Sequence, residues 1–111
     1  MHTSFRSKII GKVVTDVVLD EDGLGIALSE GWSINLWSAI TLYEHGNKSD
    51  LRRISGLVGA PLVQFVGDHV HERLVFSNDF ELVVDLKARK PAQPEAMMVR
   101  GPEKLIVVWN D

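Results

Sequence analysis

One frame of apolar, Gly and Ser positions is written twice in this chain, 48 positions apart and without a gap: Gly11 falls on Gly59 and Ser29 on Ser77. Under that offset Ile9, Ile10, Val14, Val17 and Val18 meet Leu57, Val58, Leu62, Phe65 and Val66. Further along, Ile26, Leu28, Trp32, Ile34 and Leu36 meet Leu74, Phe76, Phe80, Leu82 and Val84. A period of this size lies within the range of structural repeats. The chain is therefore read as two tandem units, residues 9–37 and 57–85, inside a single domain spanning 1–111.

Within each unit the apolar period is two, which a strand with one buried face requires. Leu24, Ile26 and Leu28 alternate with Gly25 and Ala27, and Trp32, Ile34 and Leu36 alternate with Ser33 and Asn35. Between these arms lies "SEG", matched by "SND" in the second unit, with the short polar and Gly residues of tight turns. A preceding strand at 12–19 enters through "DEDG", and its counterpart at 62–66 through "GDHVH". Each unit is then a three-stranded antiparallel meander. One meander buries too little to stand alone, so the two are expected to share one core as a roll, barrel-like fold or sandwich.

Between the units, Ser49 or Asp50 is placed to cap a short helix running through Ser55 and ending at Gly56. Its basic pair, Arg52 and Arg53, reads as a solvated face and a candidate contact patch. After Leu86 the alternation stops at "KARKPAQPE", whose prolines lack ladder donors, so an exposed loop is expected. A C-terminal hairpin over 96–109 follows, turning at Arg100 to Glu103 with its Gly-Pro; its last strand, rich in Leu, Ile and Val, is expected in the interior of a sheet or packed on both faces, closing the fold.

The 111 residues, 45% hydrophobic, suffice for one core. A net charge of -3 argues against a nucleic-acid binder, which needs a basic surface to displace counterions. With no cysteine, thiolate metal sites, disulfides and cysteine nucleophiles are excluded. The opening "MHTSFRSKIIGKVV" has no apolar core of signal-peptide length, and no run approaches membrane-spanning length, so a cytoplasmic address and no membrane partner are expected.

Chemical constellations are sparse. His69 and His71 in "DHVHE", read as projecting to one side of a strand, are weak metal candidates without a third histidine nearby. Counting twelve positions from Asp20 of "DEDG" reaches Gly31 rather than the Glu an EF-hand needs. There is no "GxSxG" and no phosphate-binding loop, and the carboxylate pairs Asp20/Asp22 and Asp79/Glu81 sit in exposed turns and strands. No catalytic residue and no cofactor is assigned. Trp32 continues the inward alternation, whereas Trp37 follows Leu36 and leaves on the outer face, where it is either covered by a second layer such as the short helix or the C-terminal hairpin or serves as a candidate interface residue. Its equivalent is Asp85, so the two outer faces differ.

The order "IIGKVV", a meander, "LVG", a second meander, "PEAMMVRGP" and a terminal "VVW" resembles a family of small uncharacterised bacterial β-rich proteins, a domain of unknown function built from two Gly-led β units. The resemblance covers 9–109, with Met97 where the family often has an aromatic. It implies a stand-alone β domain without assigned catalytic residues and, for relatives of this kind, service as immunity-type inhibitors. The expected function is a non-enzymatic protein–protein interaction module, with homodimerisation expected from open strand edges. The alternative is a small-molecule or metal-binding β domain.

Overall fold

The computed structural model describes residues 3–89 and 95–109. Helix α1 (Thr3–Ile9) precedes the meander β1 (Val14–Leu19), β2 (Leu24–Leu28) and β3 (Ser33–Leu36). Then come β4 (Ser38–Glu44), β5 (Asn47–Ser49) and a 3₁₀ helix (Leu51–Leu57). The second meander is β6 (Leu62–Gly67), β7 (His71–Phe76) and β8 (Phe80–Arg89), followed by β9 (Met97–Arg100) and β10 (Ile106–Trp109).

The strands form two five-stranded antiparallel sheets of order β1-β2-β3-β9-β10 and β5-β4-β8-β7-β6. Each meander is thus completed by the hairpin that follows the other one. β4 leaves the first meander to pair with β8, and β9 leaves the second to pair with β3. Alternation fixes the inner faces: Leu24, Ile26 and Leu28 of β2, Leu74 and Phe76 of β7, and Met97 and Val99 of β9 belong to one buried cluster shared by both sheets.

The same 48-residue offset relates the backbones. Gly11 N–H donates to Leu62 C=O at 2.7 Å, and Gly59 N–H to Val14 C=O at 2.8 Å. Val14 N–H donates to Ala60 C=O at 3.0 Å, mirrored by Leu62 N–H to Lys12 C=O at 2.9 Å. An isolated antiparallel bridge joins Val13 to its own equivalent, Pro61, and so marks a pseudo-twofold axis. Gly11 and Gly59 sit at φ 92° and 93°, a left-handed conformation that a side chain would strain. β1 and β6 even share a bulge, at Val14/Asp16 and Leu62/Gln64.

One expectation is overturned, and others are refined. The apolar C-terminal strand is not interior: β10 is the edge of its sheet, paired to β9 alone, with Ile106 54% and Val108 41% exposed. The segment after Asp50 is a 3₁₀ helix that runs past Gly56 to Leu57, although Asp50 caps it as expected, its side chain accepting from Arg52 N–H. Helix α1 and the hairpin β4–β5 were not read from the sequence at all. The proline-containing loop expected directly after Leu86 starts later, since β8 runs on through Arg89, and its residues 90–94 lie outside the described residues.

Candidate functional site

The outward positions of β1–β3 are mostly small. Gly25 pairs with Val18 and Asn35, and Ala27 with Asp16 and Ser33, so glycine, alanine and serine floor the outer surface between taller neighbours. The result is an open trough of about 480 Å³. Trp37, at the β3–β4 junction, lines it together with Asp16, Val18, Asp20, Asp22 and Asn35. Trp37 is half-buried, and its N–H donates to Ala96 C=O at 2.9 Å, which fixes the backbone that carries the ring. The trough's carboxylates are held by the chain itself. Asp20 Oδ1 accepts from Asp22 N–H and Gly23 N–H at 2.9 and 3.1 Å, and Asp16 Oδ1 accepts from Val17 N–H at 2.9 Å.

A second concavity, of about 410 Å³, lies where α1 meets β6–β8 and β10, lined by residues that include Arg6, Gly67, His69, Glu72, Lys87 and Trp109. At its base Glu72 is 2% exposed on an inward position of β7. Arg6 grips it with a two-pronged pair, Nη1 to Oε1 at 2.8 Å and the other terminal nitrogen to Oε2 at 3.0 Å, and also donates to Phe65 C=O at 3.2 Å. The guanidinium carbon lies 5.2, 4.8 and 5.9 Å from the ring centroids of Phe5, Phe65 and Trp109, within cation–π range of all three.

This pair breaks the internal symmetry. The 48-residue offset places Leu24 at the position of Glu72 and Ile54 at that of Arg6, and these are 2% and 4% exposed. Leu19, cross-strand from Leu24, becomes Gly67, cross-strand from Glu72. Gly67 makes room for the carboxylate, because a Cβ there would stand 2.0 Å from Glu72 Oε2 and push it from its place beside Arg6. Sequence reasoning offers Glu72 only as an aid to His69 and His71 and misses its burial, yet the signal existed: the repeat register puts it on Leu24, and strand alternation points it inward.

The remaining candidates are dispersed. His69 sits in the β6–β7 turn at φ 76° while His71 opens β7, so they do not share one side of a strand as expected. Asp68, in the same turn, is held below the ordinary carboxylate range by hydrogen bonds from the N–H groups of His71 and Val70. Among the described residues no group of three His, Asp or Glu side chains is arranged to hold a metal ion. Arg52 and Arg53 are exposed and ion-paired, Arg52 with its neighbour Asp50 and Arg53 with Glu44 across on β4. Hydrogen bonds from Arg53 and then Ser49 lower the Glu44 pKa. Of the expected carboxylate pairs, Asp79 meets His45 at 3.2 Å and Glu81 meets Arg73 at 2.6 Å.

Compared with known proteins, the chain matches no protein-family model, no curated protein and no solved structure. No helix among the described residues is long and apolar enough to cross a membrane.

Proposed function

We propose that this chain is a non-enzymatic protein-interaction module, of the kind that serves as an immunity-type inhibitor, and that it docks through the outer face of β1–β3. One observation carries the reading: Trp37 lines a trough floored by small residues and flanked by three aspartates. A large aromatic beside a hollow can anchor a partner's side chains, while acidic neighbours and a net charge of -3 steer towards basic targets. Capture from a lysate of the source cell is the test. Wild-type protein is expected to retain a near-stoichiometric protein partner that Trp37→Ala loses; equal retention by both contradicts the assignment of Trp37.

The same reading includes homodimerisation. β1 and β6 are blunted by bulges and β5 has three residues, whereas β10 presents a regular apolar edge. Light scattering is expected to show a mass that rises above one chain with concentration and that Val108→Lys returns to one chain. A one-chain mass for the wild type throughout contradicts it.

The concavity at Arg6 and Trp109 favours the second reading, a small-molecule-binding β domain, because it is walled by aromatic and aliphatic side chains around a few polar groups.

A further inference from the structure

The two sheets present matching backbone ladders outward and cover them differently. On β7–β8, Arg73 and Glu81 both stand on the outer face, and Arg73 Nε donates to Glu81 Oε2 at 2.6 Å. An arginine stem therefore lies diagonally across that ladder, with its head on a carboxylate. The 48-residue offset puts Gly25 at the position of Arg73 and Ser33 at that of Glu81. Sheet β1–β2–β3 thus has a hollow where its counterpart has an arginine, and that hollow is the floor of the Trp37 trough. The nearest cation of the same sheet does not fill it. Arg100, cross-strand from Ser33, directs its Nε to Met98 Sδ at 3.3 Å and is not part of the lining.

We propose that the trough receives an arginine side chain from a basic segment of a protein partner, laid along the ladder as Arg73 lies in the other half. This rests on the interaction reading above and adds the chemistry of what is bound. Three features select arginine. The floor has the shape that an arginine stem covers in the pseudo-symmetric sheet. Trp37 offers an aromatic face on which a planar guanidinium stacks. Asp16 and Asp20 each have one oxygen engaged by backbone N–H groups, which holds the carboxylates in place and leaves each a second oxygen to accept from a forked donor. A lysine ammonium, a compact and strongly hydrated point charge, gains less from the stacking and from the fork.

The test is fluorescence anisotropy with labelled octa-arginine and octa-lysine peptides on the intact chain. Wild-type protein is expected to bind octa-arginine at least about tenfold more tightly than octa-lysine, a difference readily resolved as a ratio of Kd values. The decisive variant is Gly25→Arg with Ser33→Glu, which rebuilds the Arg73–Glu81 pair on the first sheet. It leaves net charge unchanged, and a Cβ at Gly25 meets nothing closer than Asn35 Nδ2 at 3.4 Å, an ordinary contact, so the backbone there admits a side chain. It is expected to keep the wild-type thermal midpoint and to weaken octa-arginine binding at least about tenfold. Equal affinity for the two peptides, or full binding by the folded double variant, overturns the inference. If lysate capture is lost in Trp37→Ala but kept in the double variant, the interaction reading stands and the arginine assignment falls.

Discussion

The half-buried pair Arg6–Glu72 can be weighed against the apolar residues that the same molecule places at the equivalent positions, Ile54 and Leu24. Desolvating two charges costs more than their attraction returns unless the geometry is good, whereas leaving one charge alone inside is worse. Arg6→Ala strands a carboxylate with 3% side-chain exposure, and is expected to destabilise by about 3 kcal/mol in urea unfolding. Arg6→Ile with Glu72→Leu, copying the other half, is expected to recover most of that loss. A double variant as unstable as the single one contradicts this account. Asp50 shows the opposite, exposed case. The hydrogen bond from the Arg52 side chain, joined by that from its N–H, lowers the Asp50 pKa from 3.8 to about 2. Because the folded value is depressed, the stabilisation is complete above about pH 4 and is lost as pH falls through the folded value. A carbon-detected carboxyl titration is expected to place the Asp50 midpoint near 2 and to raise it in Arg52→Ala part of the way towards 3.8, because the N–H of residue 52 still donates to the carboxylate; an unchanged midpoint in the variant contradicts the assignment.

At the scale of elements, the exchange of hairpins makes each sheet depend on both halves of the chain. Met97 is fully buried on β9, which comes from the second half but pairs with β3 of the first. Met97→Ala is expected to cost about 2–5 kcal/mol and to lower the stability of both sheets in a single transition. Separate transitions for the two sheets would mean that the halves are independent. The meanders were legible because alternation specifies strand and face together, and the cap at Asp50 because its chemistry is local. The exchange was not legible, since sheet order is decided by packing between distant segments. Phe5 and Ile9 do stand one helical turn apart, but a single such pair is too short to announce α1. In β10 the run "IVVW" read as interior, yet only Val107 and Trp109 turn toward the core, leaving Ile106 and Val108 outward. His69 and His71 failed as a strand pair because the turn of the second unit extends to Val70.

For the whole molecule, internal symmetry serves as the reference against which function is read. Where the halves agree, as in the reciprocal Gly11 and Gly59 hydrogen bonds, the residues build the core. Where they differ, at Arg6/Glu72 and at Gly25/Ser33/Trp37, the chain departs from what the fold alone needs. Trp37 was legible from alternation, but the trough beside it was not, because its floor is defined by the small size of Gly25, Ala27 and Ser33 relative to the other sheet. The central claim is that this outer face is where a basic partner docks. The most direct measurement is a titration of the ¹⁵N-labelled chain with the arginine octapeptide, followed residue by residue by NMR. The account predicts saturable shifts concentrated at Gly25, Ala27, Ser33, Asn35 and the Trp37 indole. Shifts centred instead on Arg6, His69 and Trp109, or none at the trough at saturating peptide, would contradict it.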